Sequence, residues 1–266
     1  MVVAALQPTT APSSTAESPT TPSSPTTVGS PSSLEKLRAA LPSPLRGQVE
    51  SGRTLIRKRS EAPPQATLPT SVAALDRLLD GGLPRGRLVE LIGYRSSGRF
   101  SLTLAILRAA TAAGEAAALI DLGDNLDPQS AAAIGVDLER LLWVRPEHIQ
   151  QALVSGEMLL ASGFPLVVLE VGPPPVAGGR NVEAAWLRMS RAAAVHQGAL
   201  LVSVPYRMSG TAAAVVLRAR KRRTLWQRGA RQTPDLLSGL STHLLLEKVR
   251  GRKEGGGATV EMRAAC

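Results

Sequence analysis

The stretch "TSVAALDRLLDGGLPRGRLVELIGYRSSGRFSL", residues 70–102, decides the fold. Leucines at helical spacing over 70–79 behind a Thr-Ser start predict a capped helix, Gly-Gly-Leu-Pro predicts a turn, and the apolar run from Arg87 to Ile92 predicts a strand. Beyond Gly93 and Gly98 a second helix is expected from Arg99 to about Ala113. Strand, glycine turn and helix in that order form the frame of a phosphate-binding loop, whose chemistry requires Lys and then Ser or Thr directly after the last glycine. Arg99 and Phe100 occupy those places. The frame is present and its reactive residues are replaced.

Downstream the pattern alternates. Strands are predicted at 116–122, 141–144, 165–171 and 199–204, with helices near 129–134, over 147–161 and over 181–197. Continuous apolar strands separated by helices imply a mainly parallel sheet covered on both faces, so residues 68–266 are expected to form a doubly wound α/β core. "AVVLRARKRRTLW" at 214–226 reads as an edge strand or a helix, and "HLLLEKVRGRKEGGGATVEMR" at 243–263 as a hairpin closing the sheet with glycines in its turn.

Residues 1–33 are dominated by Ser, Thr, Pro and Ala, which cannot bury enough apolar surface to offset their ordering entropy, so a disordered tail is expected. Residues 34–67 predict a short helix at 34–41 and then a basic linker, whose run Arg57–Arg59 reads as a solvated tether. With 44% apolar residues but 3% aromatic ones, the core should consist of Ala, Val and Leu between closely spaced elements. The single cysteine, Cys266, rules out internal disulfides and Cys-based metal sites, and His148, His196 and His243 are too scattered to ligate a metal. Trp143 and Trp186 sit among apolar residues and are expected in the core. No segment approaches the roughly 20 apolar residues of a membrane span, and the N-terminus carries no export signal. A reducing, cytoplasmic setting away from any membrane is expected.

Two blocks carry a family resemblance. Residues 70–102 resemble the RecA ATPase core across its first helix, strand and phosphate loop, including the Gly-Gly-Leu-Pro-x-Gly-Arg turn and the Ser-Ser-Gly of the loop. "LIDLGDNLDPQSAAAIGVDLERLLWVRP" at 119–146 resembles the following RecA segment, with Asp-Pro, Gly-Val-Asp and the leucine pair in step. The resemblance spans roughly residues 68–262 and implies a RecA-like fold. Within that superfamily, a short chain with an eroded loop, a Pro/Ser-rich N-terminal tail and a basic C-terminal region looks like the ImuA family. Its members are RecA-like accessories of the bacterial damage-inducible mutasome, encoded beside ImuB, a Y-family polymerase homologue.

The resemblance implies a vestigial nucleotide site made of Gly93, Ser96, Ser97, Gly98, Arg99, Ser101 and Glu170. Arg99 stands for the lysine, yet its planar fork is no like-for-like replacement. Phe100 cannot hold magnesium, and the Ser101 hydroxyl comes one residue late, about 100° round the helix. Glu170 matches the acid at the tip of the metal-binding strand. Gly123 holds the place of the catalytic glutamate, with Asp124 adjacent but aimed elsewhere, and Pro205 holds that of the phosphate-sensing glutamine. Four replacements in separate segments argue against hydrolysis, so neither a catalytic residue nor a cofactor is expected. Amide N–H groups at the helix N-terminus keep some attraction for phosphate.

The formal charge is +10, and Pro205 to Arg231 carries eight Arg or Lys with no acid. The resemblance places the loop that contacts single-stranded DNA here. Arg207, Arg218, Arg220, Lys221, Arg222, Arg223, Arg228 and Arg231 are the candidate phosphate contacts, with Tyr206 and Trp226 able to stack on bases. An arginine face docking an acidic protein, or a merely solvated surface, are the competing readings. The expected function is a non-catalytic RecA-like scaffold in DNA-damage-induced translesion mutagenesis. Its expected partners are an ImuB-like Y-family polymerase homologue, RecA and single-stranded DNA, with copies of itself a further candidate. One rival is an active ATP-dependent recombinase paralogue or motor whose altered site uses Arg99, Ser101 and Glu170. Another is a modulator that caps RecA polymers through the helix at 34–41.

Overall fold

A computed structural model of the chain describes residues 39–46, 66–172, 182–229, 234–250 and 255–263. The tail at 1–33, most of the helix at 34–41, the run Arg57–Arg59, Arg231 and Cys266 lie outside the described residues. The chain divides into two units, Met1–Pro63 and Pro64–Cys266. In the first, Ser43–Arg46 makes one helical turn, and Arg46 Nε donates to the Leu41 carbonyl at 2.8 Å.

In the second unit, β1 (Thr67–Leu68) pairs antiparallel with β2 (Leu83–Pro84) on either side of α1 (Ala73–Leu78). The main sheet comprises β3 (Leu88–Ile92), β4 (Ala117–Asp121), β5 (Leu141–Val144), β6 (Leu166–Glu170), β7 (Ala199–Val204), β8 (Val215–Gln227), β9 (Leu236–Val249) and β10 (Gly257–Arg263). Its order is β10-β9-β8-β3-β7-β6-β4-β5. The six strands from β8 to β5 run parallel, and β9 and β10 extend the sheet antiparallel. This is the doubly wound arrangement expected from alternating strands and helices. The segment at 214–226 is a strand: Val215–Arg218 lie between β3 and β9, and beyond Arg218 β8 pairs with β9 alone, so that half forms an edge.

Every residue of β3, β4, β6 and β7 is buried, as parallel strands covered on both faces must be. One face packs Leu91, Leu102, Leu107 and Leu119 beneath α1, α2 (Arg99–Ala112) and α3 (Pro128–Ala133). The other packs Ile92, Trp186 and Val202 beneath α4 (Ile149–Ala161) and α5 (Val182–His196). Each fully buried leucine or valine contributes about 1.5–3 kcal/mol. Ala110, Ala118, Ala152 and Ala193 are sealed in the core, where their small side chains let helices close on the sheet.

Local chemistry shifts some predicted boundaries. The helix expected over 70–79 is α1 alone, and Thr70 does not cap it. Instead Thr70 N and Oγ1 both donate to Asp76 Oδ1, at 2.9 and 2.7 Å, so a side chain inside the helix fixes the segment ahead of it. The helix expected from 147 starts at Ile149, where His148 Nδ1 accepts from Gln151 N at 3.3 Å and serves as its cap. Trp186 is fully buried, whereas Trp143 is half-buried with the Arg145 guanidinium 4.9 Å above its ring. Among the described residues no helix is long and apolar enough to cross a membrane.

Candidate nucleotide loop and nucleic-acid surface

The loop between β3 and α2 lies at the carboxyl end of the parallel strands, where α/β sheets bind ligands. Gly98, just ahead of α2, has φ +86°, and a Cβ there would overlap the Thr242 hydroxyl of β9 and the Met262 methyl of β10. Thr242 Oγ1 donates to the Ser97 carbonyl at 2.7 Å. The C-terminal strands therefore seal the inner side of the loop, burying Ser97 and Gly98, while Tyr94, Arg95 and Ser96 stay exposed.

Arg99 turns inward. Its Nη2 lies 2.7 Å from Glu170 Oε1, with side chains 9% and 1% exposed. The same nitrogen donates to the Gly172 carbonyl at 3.3 Å. Burial lowers the Arg99 pKa, with the Glu170 charge acting the other way. Burial likewise raises the Glu170 pKa against the pull of Arg99, Ser203 and the Gly172 N–H, and nearby Asp121 adds to the rise. Sheet register brings Asp121, Glu170 and Ser203 side by side on β4, β6 and β7. Arg99 Nη1 and Glu170 Oε2 are sealed from solvent and make no well-formed hydrogen bond.

A magnesium nucleotide does not fit these residues. The cation that should meet phosphate is spent on Glu170, and the carboxylate that should face the metal is spent on Arg99. Phe100 packs against the core at the hydroxyl position, and Ser101 is exposed. At Gly123, a Cβ would sit 2.6 Å from Gly172 Cα, so no glutamate side chain can start there. Asp124 swings out to Arg145, with two hydrogen bonds of 2.8 Å, and that guanidinium holds its carboxyl below the usual range. Pro205 is buried at the end of β7.

The basic run is sorted by β8. Neighbouring strand residues face opposite ways, so Lys221, opposite Thr242, is on the loop side while Arg220, opposite His243, faces away from it. A register shift between Lys221 and Arg223 returns Arg223 to the Arg220 face. There Arg222 donates to Thr259 Oγ1 at 3.4 Å and Arg223 to Glu261 Oε1 at 2.8 Å. Arg218 is half-buried and forks onto both oxygens of Glu247. The hydrogen-bonded Arg218 guanidinium, helped by the charges of Arg220 and Arg207, holds the Glu247 carboxyl below its ordinary range. Tyr206 and Arg207 are exposed on the loop after β7. Trp226 is 58% exposed but eight residues along β8 from Arg218, about 26 Å at 3.3 Å per residue, and Arg228 lies beyond it. The structure thus brings Arg207, Arg218 and Arg220 together around Glu247, with Tyr206 exposed next to Arg207 in the chain, and leaves Lys221, Trp226 and Arg228 apart.

Two carboxylates that shape this surface escaped the sequence reading. Glu247 neutralises part of the arginine cluster. Glu90, fully buried in β3, accepts from Met208 N at 2.6 Å and Ser209 N at 2.9 Å, holding the loop that carries Tyr206 and Arg207. Glu90 had a signal, a lone acid within the apolar run "LVELI".

Residues 51–172, which include β3, the loop, α2 and the tips of β4 and β6, match the RecA N-terminal domain. Over this region the chain is similar to RecA proteins. It is 46% identical over 112 residues to Protein RecA of Clavibacter michiganensis subsp. michiganensis, covering 41% of this chain and 31% of that protein. With Protein RecA of Rubrobacter xylanophilus it shares 48% identity over 99 residues, 37% of this chain and 29% of that one. The chain therefore spans less than a third of the length of these curated relatives. In three dimensions it is similar to the RadB recombinase, with a TM-score of 0.56 and 19% identity over 73% of this chain and 96% of that one. The likeness in fold therefore covers more of the chain than the region of sequence identity does.

Proposed function

We propose that this RecA-like chain acts by binding and not by turning over nucleotide. As its resemblance to the ImuA family implies, it serves as an accessory in damage-induced translesion synthesis, joining an ImuB-like polymerase homologue and RecA to single-stranded DNA. One observation carries the proposal: the buried pair of Arg99 and Glu170 engages both charges that a magnesium nucleotide needs. The exposed arginines beside Tyr206 supply a phosphate-binding surface in its place.

Calorimetric titration of the purified chain with ATP and magnesium, paired with a phosphate-release assay, tests this. Magnesium-independent weak binding or none, and release at the no-enzyme background with and without single-stranded DNA, are expected. Turnover that Arg99→Ala abolishes overturns the proposal. The rival reading, a recombinase with an altered ATP site, draws support from the 46% identity with RecA and from the carboxylate retained at Glu170. It requires the titration to show tight, magnesium-dependent binding. Co-purification with the ImuB-like homologue and with RecA tests the partner assignment separately.

A further inference from the structure

The exposed tip of the altered loop adjoins the basic surface. In the sheet, Ile92 of β3 stands opposite Val204 of β7 and Arg218 of β8. Two residues onward along each chain come Tyr94 and Tyr206, on the loops that follow β3 and β7, and Arg220, still within β8. All three side chains are exposed, Tyr94 the most at 69%. Its backbone is held: Gly93 N donates to the Val204 carbonyl at 3.0 Å, and Ser97 N to the Tyr94 carbonyl at 3.1 Å. Arg95 is exposed beside it, and Arg218 lies within electrostatic reach of the Tyr94 ring.

We propose that Tyr94 and Arg95 belong to the nucleic-acid site, Tyr94 as a stacking platform for an unpaired base and Arg95 as a phosphate contact. The proposal rests on the reading of the basic surface as a single-stranded DNA site and extends it into the former phosphate loop. Three features favour a nucleic acid over an acidic protein. An exposed ring on a hydrogen-bonded turn, a second exposed ring on the loop after β7 and exposed arginines in both segments form the stacking-plus-cation pattern of single-strand binders. An acidic peptide needs the cations but not the ring faces. The inner side of the loop is closed by Thr242 and Met262, so its outward face is what a ligand meets.

The test uses the full chain and fluorescein-labelled oligodeoxythymidine of about 20 nucleotides, with anisotropy read at several salt concentrations. Tyr94→Ala should weaken binding by about five-fold or more, the scale of one lost base stack, and Tyr94→Phe should restore it. The salt slope should be unchanged in Tyr94→Ala and lowered by about one in Arg95→Gln, because only the second removes a phosphate contact. Unaltered melting temperatures confirm that both variants fold. Wild-type binding that Tyr94→Ala leaves intact overturns the proposal while the DNA reading stands. Failure of the wild-type chain to bind the oligonucleotide removes both. Polyglutamate binding with the same dependence on Tyr94 also overturns it, reassigning the surface to an acidic protein partner.

Discussion

Arg99 Nη2 and Glu170 Oε1 meet at 2.7 Å between the start of α2 and the end of β6, in the buried interior. Removing one member strands the other's charge in the interior. Arg99→Ala and Glu170→Ala should each destabilise the fold by about 3–5 kcal/mol, whereas Arg99→Met combined with Glu170→Leu should come within about 1 kcal/mol of the parent or exceed it. Urea unfolding of the three variants checks this. Equal losses in the single and double variants would show that the pair does not act as a unit.

The same pair sets a pH dependence. Burial raises the folded pKa of Glu170 above its unfolded value, so the native state binds more protons between the two. The stability linked to Glu170 is then fully present below the ordinary carboxylate range and declines as pH rises through its folded pKa. Glu247 and Glu261 have lowered pKa values and act oppositely, losing their contribution as pH falls through the folded pKa. Melting temperature followed across pH should lose its decline above the carboxylate range in Glu170→Gln.

Restoring family residues one at a time should not restore turnover. Arg99→Lys leaves Phe100 at the hydroxyl position, and Gly123→Glu forces a Cβ to within 2.6 Å of Gly172 Cα. Gly123→Glu is expected to cost roughly 2 kcal/mol or more in stability and to leave phosphate release at background. Activity above background in either variant would count against the account of the site given above.

Glu247 sits among Arg207, Arg218 and Arg220, with Arg218 forked onto it. Glu247→Gln frees that guanidinium and removes a charge that repels phosphate. Affinity for single-stranded DNA should rise several-fold and the salt slope should steepen by up to about one. Anisotropy titrations at two salt concentrations measure both. A fall in affinity would mean that Glu247 orients Arg218 for binding instead of competing for it.

Glu90 ties the loop after β7 to the strand before the altered phosphate loop. In Glu90→Ala the Met208 and Ser209 amides should exchange hydrogen markedly faster than in the parent, while the amides of β4 and β6 keep their protection. Glu90→Gln retains an acceptor oxygen and should preserve most of that protection. Unchanged exchange at Met208 and Ser209 in Glu90→Ala would remove this anchoring role.

Strand, loop and helix order was legible in residues 70–102 and 119–146 because apolar period, glycine placement and Asp-Pro capping are local properties. The replacements at Arg99, Phe100, Gly123 and Pro205 were legible as letters for the same reason. Their consequence was not. That Gly123 has no room for a side chain depends on Gly172, from another strand end, and that Phe100 is a core residue depends on how α2 lies on the sheet.

The sequence by itself determined the alternation of apolar strands and helices, the buried core of small residues and the surplus of arginine near the C-terminus, since each follows from the chemistry of neighbouring residues. Tertiary structure alone decided that Arg99 meets Glu170, that Thr242 seals the loop, that a register shift turns Arg223 back to the Arg220 face, and that Ile92 of β3 stands between Val204 of β7 and Arg218 of β8. Strand pairing sets those juxtapositions: moving a register by one residue reverses every side chain, and which strands lie side by side depends on the whole sheet.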